Sequence, residues 1–257
     1  MHAPHPGRLL AASWNVHGFV GADGRFDPAR AARLVRSWGA DLIGLQESVL
    51  VPRGGLSRGA LARALGLSVV VGPTLLARRA PFGNLLATRL PVLEVRRHDL
   101  SCSGREARGV ARRGPGRRRP EAARGRDPPG PEDRRARRPA GLPGPPARAP
   151  RRGRPWVLLA DLNEWWPWRR SFRRFLAGFG GHVLATFPAR RPVLALDRIL
   201  VRPPECLVRT LAVTRRAASL ASDHLPLLAA IDLSGLGRGN KNADTPEPGA
   251  SAQRPAS

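Results

Sequence analysis

Asp41-Leu42-Ile43-Gly44-Leu45-Gln46-Glu47 reads as a short apolar strand that ends in an amide and a carboxylate. A strand of this kind, apolar on successive residues, belongs in an interior sheet, and polar groups just past its end fall at the sheet's rim. The residues before it fit a helix leading into that sheet. Asp27 is an N-cap, Pro28 stands at the first helical position, and Ala31, Leu34, Val35 and Trp38 recur at helical spacing. Earlier still, Leu9 to Trp14 is a first strand. Beyond Glu47, Ser57 caps a helix carrying Leu61 and Leu65, Gly66 closes it, and Ser68 to Val71 is a strand. Strand and helix therefore alternate, the signature of an α/β domain.

Further on, Asn84 to Thr88 and Val92 to Arg96, separated by Leu90-Pro91, are expected to form an antiparallel pair, which makes the sheet mixed. Trp156 to Ala160 is another apolar strand. It is followed by a helix near Trp168 to Leu176 and by strands at Arg198 to Val201, Leu207 to Val213 and Leu227 to Ile231. Between these halves, residues 107–154 hold sixteen Arg against four acids, with Val110 and Leu142 as the only large aliphatics. Such a stretch cannot bury enough apolar area to offset its ordering entropy. It reads as disordered or as the product of a shifted reading frame, because Arg, Pro, Gly and Ala are what shifted GC-rich codons yield. A domain over 8–234 and a disordered tail over 235–257 complete the organisation.

The chain of 257 residues carries a net charge of +25, which favours polyanionic partners. Segment 107–154 supplies +12 of it, leaving +13 for the rest. Two cysteines, Cys102 and Cys206, without a CxxC or Cys/His cluster, argue against a disulfide framework and a structural zinc site. No run reaches transmembrane length and the start lacks a signal peptide, so a cytoplasmic, monomeric protein is expected.

Several polar residues sit at strand ends. Asn15 follows the first strand, Glu47 the second, Asp161 and Asn163 the strand at 156–160, and Asp223-His224 precedes the last; Asp197 opens another. Cleavage of a phosphoester needs a divalent cation held by hard oxygens, a positioned water, and donors for developing charge. Glu47, with help from Asn15, suits the cation. Asp161 and Asn163 alternate by two and would project to one side. Asp197 can accept from one ring nitrogen of His224 and so select its tautomer. His17 reads as packed or solvated, and Arg190 and Arg191 as solvated residues within reach of a phosphate. Each motif alone is ordinary, since Asp-x-Asn is common in turns. Their order along the chain is not.

Taken in that order, Ser13-Trp14-Asn15-Val16-His17-Gly18, Asp41 to Glu47, Leu159-Ala160-Asp161-Leu162-Asn163, Leu196-Asp197-Arg198-Ile199 and Ala221-Ser222-Asp223-His224-Leu225-Pro226 resemble the endonuclease/exonuclease/phosphatase superfamily. The resemblance covers about residues 8–106 and 155–234. It implies a four-layer α/β sandwich with two packed mixed β-sheets and the site at one edge. It also implies Mg²⁺, or Mn²⁺, on the side of Asn15, Glu47 and Asp223. Asp161 would align or activate water, Asn163 stabilise phosphate, and His224 face the scissile phosphate with Asp197 orienting it. The substrate is a phosphoester: DNA, RNA, a phospholipid headgroup or a sugar phosphate.

The chain departs from that pattern in one place. Relatives carry further strands, one ending in Thr-His-Leu, before the Asp-x-Asn strand, whereas residues 107–154 contain no histidine. Two functions are therefore weighed: a Mg²⁺-dependent phosphodiesterase or nuclease, and a catalytically impaired or inactive member that binds nucleic acid non-specifically through its Arg-rich segment.

Overall fold

The computed structural model describes residues 7–50, 56–77, 80–95, 155–166, 168 and 170–237. Segment 107–154 and residues 238–257 of the expected tail lie outside them. Within them run β1 (Arg8–Asn15), α1 (Pro28–Trp38), β2 (Leu42–Val49), α2 (Arg58–Leu65), β3 (Ser68–Ala77), β4 (Ala80–Thr88) and β5 (Trp156–Asp161). There follow α3 (Arg170–Leu176), β6 (Asp197–Arg202), β7 (Leu207–Ala212), α4 (Arg216–Ala221) and β8 (Leu227–Asp232). The helix ends obey local chemistry. Asp27 accepts from Arg30 N at 2.8 Å to cap α1, and Ser57 Oγ accepts from Ala60 N at 3.1 Å to cap α2. Gly66 ends α2 with φ +68°, a conformation in which a Cβ would be strained.

Six strands form one mixed sheet in the order β3-β4-β2-β1-β8-β7, with β1 parallel to β2 and antiparallel to β8. The described part of the second sheet is the antiparallel pair β5-β6. Alternation along β1 decides what each face meets. Ala12 and Trp14 pack with Ala31 and Val35 of α1 and Leu61 of α2, whereas Ala11 and Leu9 turn the other way onto Ile199 and Val201 of β6. Burying a side chain such as Trp14 contributes several kcal/mol, about 3–5 by the cost of truncating it. Its indole does more, because Trp14 Nε1 donates to the buried carbonyl of His224 at 3.0 Å. The helix-side core and the site are thereby joined through one residue.

Contact between the two sheets depends on Gly44. A Cβ there would lie 2.7 Å from Leu159 Cβ, so only glycine lets β5 settle on β2. Beside it, Gln46 Nε2 donates to Ser13 Oγ at 3.1 Å and to the Leu159 carbonyl at 3.3 Å, crossing from one sheet to the other. Two β-sheets packed face to face, with α1 and α2 on the outer face of the larger one, match the expected sandwich.

One expectation is corrected. The strand at 84–88 does not pair with 92–96: β4 begins at Ala80 and lies between β3 and β2. Residues 91–95 form no strand, and Leu93 is 90% exposed, because both edges of β4 are already paired, one with β3 and the other with β2. At the expected domain end, Ser234–Gly237 forms a short 3-10 turn. No helix among the described residues is long and apolar enough to cross a membrane.

Candidate active site

The strand ends meet at one rim of the sandwich. The register of β5 against β6 sets Asp161 directly opposite Asp197, two carboxylates on one face of a two-stranded ladder. Like charges so placed repel. His224 relieves them: its Nδ1 lies 2.8 Å from Asp197 Oδ2 and its Nε2 3.9 Å from Asp161 Oδ2. Asp197 also accepts from Thr186 Oγ1 at 2.5 Å and is fully buried, as is nearly all of His224. Ser222 Oγ receives the His224 backbone N–H at 3.1 Å and itself donates to the Asn15 carbonyl at 2.7 Å, pinning the loop before β8 to the end of β1.

Asn15 is the hub between the two sides. Its Nδ2 donates to Glu47 Oε1 at 3.1 Å and to Asp161 Oδ2 at 3.0 Å, while its Oδ1 accepts the His17 N–H at 2.9 Å. Both amide donors and the oxygen are spent on holding neighbours in place. Glu47 reaches this position through a bulge: the register of β2 against β4 shifts between Leu45 and Ser48, and Glu47 adopts φ +52°. Strict alternation would turn its carboxylate toward the helices; the bulge re-aims it to the rim. A positive φ at a non-glycine residue costs on the order of 1–3 kcal/mol and is characteristically kept where a side chain must be aimed.

Asp223 and His17 complete the outer part. His17 Nδ1 is 3.5 Å from Asp223 Oδ1 and 4.0 Å from Glu47 Oε2, with all three side chains open to solvent. Asn163 has φ +49°, and its N–H donates to Asp161 Oδ1 at 2.9 Å in an Asx turn. Its Oδ1 accepts the indole N–H of Trp165 at 2.6 Å, and the residue is exposed. Every site residue expected from the sequence thus lies in one connected network. The sequence reading set His17 aside as packed or solvated and overlooked Thr186, Phe187 and Trp165. Thr186 carries no local signal, being an isolated threonine made relevant only by its contact with Asp197.

Charge follows burial. Burial alone would lower the His224 pKa, but the hydrogen bond and charge of Asp197, with Asp161 and Asp223 nearby, outweigh it and push the imidazole up to about 9. Burial pushes the Asp197 carboxyl up, opposed by His224 and Thr186. For the pair, the proton belongs on His224, because three carboxylates face one imidazole.

Asp161, Asp197 and His224 offer ligand atoms within 4.8 Å of one another, yet they do not suit a hard cation. The imidazole nitrogen is engaged by Asp197, which is sealed from solvent. Glu47 and Asp223 fit better: they are solvent-reaching carboxylates beside an amide-anchored third, and Mg²⁺ takes one or two carboxylates and keeps the rest of its shell for water and phosphate. Next to Asp223 opens a cavity of about 510 Å³ lined by Arg190, Arg191 and Ser222 among others.

The sequence profile of the endonuclease/exonuclease/phosphatase family matches residues 12–224, a span containing every one of these residues. The chain belongs to that family. Membership places it among phosphoester hydrolases. Solved structures with a similar fold include an endonuclease/exonuclease/phosphatase from Bacteroides vulgatus, 15% identical, TM-score 0.51, covering 88% of this chain and 98% of that one. An AP endonuclease from Archaeoglobus fulgidus is likewise 15% identical, TM-score 0.51, covering 87% and 99%. Truncated TDP2 from Caenorhabditis elegans is 16% identical, TM-score 0.50, covering 88% and 98%. At these identities the likeness is one of fold. No curated protein sequence matches this member of the family.

Proposed function

We propose that the unit 8–234 is a Mg²⁺-dependent phosphodiesterase acting on nucleic acid, with Mn²⁺ as the substitute ion. The observation that carries this reading is the His224 imidazole held by Asp197 at 2.8 Å, its other nitrogen facing the Asp161 carboxylate that Asn15 ties to Glu47. Glu47 and Asp223 would hold the cation, which supplies Lewis-acid neutralisation of phosphate charge. Asn15 positions Glu47 and Asp161 relative to each other. Asp161, with Oδ1 and Oδ2 both fixed by donors, orients the attacking water in line with the phosphorus. His224, kept protonated by Asp197, donates from Nε2 to a phosphate oxygen as charge builds on it, and the NH₂ of Asn163 adds a second donor.

Nucleic acid is favoured over other phosphoesters by the +13 that remains outside segment 107–154 and by Arg190 and Arg191 beside Asp223. The fold shared with an AP endonuclease supports the same choice. Hydrolysis of bis-p-nitrophenyl phosphate and of plasmid DNA, dependent on Mg²⁺ and abolished by Asp161→Ala and by His224→Ala, is the expected result. Metal-independent retention of DNA that survives both substitutions and weakens steeply with salt would instead assign the chain to the non-catalytic binding alternative.

A further inference from the structure

A line of rings leads away from His224. The Phe187 ring lies 4.9 Å from the His224 ring, tilted by 46°, and Trp165 stands 6.2 Å beyond Phe187, at 71° to it. Trp166 and Trp168 make a second edge-on pair at 5.1 Å. Trp165, Trp166 and Trp168 are 47%, 52% and 65% exposed, in a chain whose other described tryptophans, Trp14, Trp38 and Trp156, are buried or half-buried. Edge-on packing stabilises such rings and covers only part of their surface. Holding three large apolar faces in water beside a polar site opposes the hydrophobic effect, so an occupant is called for.

The polar contacts select that occupant. Trp165 is held by its indole N–H on Asn163 Oδ1 at 2.6 Å, so a flat ring, fixed in direction, stands two residues from the amide proposed above as a phosphate donor. The turn that carries Phe187 continues into the exposed Arg190 and Arg191, whose cavity borders Asp223. Exposed rings and the guanidinium groups of Arg190 and Arg191 gathered near one site match a ligand that alternates planar rings with phosphates. Bases paired within a duplex bury their faces on each other and cannot meet these rings; unpaired bases can.

We infer that Trp165 and Phe187, extended by Trp166 and Trp168, form a stacking platform for unpaired nucleobases next to the scissile phosphate, making single-stranded nucleic acid the preferred substrate. This rests on the phosphoesterase reading, and two measurements separate the one from the other.

The first compares kcat/KM for thymidine 5′-(p-nitrophenyl phosphate) with that for methyl p-nitrophenyl phosphate, which shares the leaving group and lacks a base. Wild type favours the nucleotide ester, and Trp165→Ala lowers the ratio about tenfold, whereas Trp165→Phe keeps most of it. Using the ratio cancels any loss through Asn163, which affects both esters alike. A ratio unchanged in Trp165→Ala overturns the platform. The second measurement, made in EDTA, follows quenching of tryptophan fluorescence by oligothymidylate against a base-free oligomer of equal length, a blunt duplex and anionic phospholipid vesicles. Quenching by oligothymidylate alone, reduced in Trp165→Ala and in the Trp166→Ala, Trp168→Ala double variant, supports the platform even if neither ester is hydrolysed, an outcome that would sink the enzymatic reading only. Equal quenching by the base-free oligomer or the duplex, or stronger quenching by vesicles, overturns it.

Discussion

Two halves of the site are built to opposite rules. Around His224, Asp197 is sealed from water, Thr186 and the imidazole saturate Oδ2, and the Trp14 indole and Ser222 hydroxyl clamp the backbone of the histidine. Around His17, the Glu47 and Asp223 carboxylates reach solvent and are held more loosely, at 3.5 to 4.0 Å from the ring nitrogen. A low-dielectric enclosure strengthens electrostatics and sets a protonation state, which suits a donor that must be charged before substrate arrives. An open rim of hard oxygens exchanges water readily, which suits a cation and an incoming phosphate. Asn15 spans both, so the two halves keep their separation while remaining chemically different.

Breaking the closed half has the largest expected effect. His224→Gln removes the charged donor and is expected to lower kcat on bis-p-nitrophenyl phosphate by about 10²–10⁴-fold, with an unchanged far-ultraviolet circular dichroism spectrum. A variant retaining near-wild-type turnover would remove the imidazole from the mechanism. The open half is probed through its organiser: Asn15→Ala leaves both carboxylates in place but unpositioned, and the Mg²⁺ concentration for half-maximal activity is expected to rise about 10–100-fold. Chelation with EDTA should abolish activity in wild type and added Mg²⁺ restore it.

The remaining two effects are smaller and concern the frame. Gly44→Val drives a side chain into Leu159 and separates the sheets that carry Asp161 and Glu47. A loss of about 1–3 kcal/mol in denaturant-melt stability is expected from such overpacking. Finally, the metal-free protein should show a His224 imidazole titrating near pH 9, followed by NMR, and Asp197→Asn should bring it down. The sign follows from the raised pKa: the charged ring stabilises the fold fully below its unfolded value of about 6.5, and that contribution is lost as pH rises through about 9. The denaturant midpoint is therefore expected to fall between pH 6 and pH 9.5 in wild type and to change less in His224→Gln.

Much of the frame was legible along the chain. Asp27-Pro28, Ser57 and Gly66 mark helix ends through interactions spanning four residues or fewer, and the apolar runs at 42–45 and 156–160 fall within β2 and β5. Acids and amides placed just beyond apolar strands were legible for the same reason, since a strand's end must reach the rim. Partnership was not. The pairing expected for 84–88 with 92–96 failed because strand partners are chosen by sheet-wide competition, which local spacing does not encode.

Residue types along the chain were enough to decide the α/β class, because capping and periodicity act over a few residues, and five ordered motifs resembling the endonuclease/exonuclease/phosphatase family pointed to phosphoester hydrolysis. Packing alone decided that Asp161 faces Asp197 across a ladder, that a bulge swings Glu47 to the rim, and that Thr186, Phe187 and Trp165 join the imidazole. Those outcomes depend on register and on contacts between residues far apart in the chain, and such contacts come into being only when the two sheets close over Gly44.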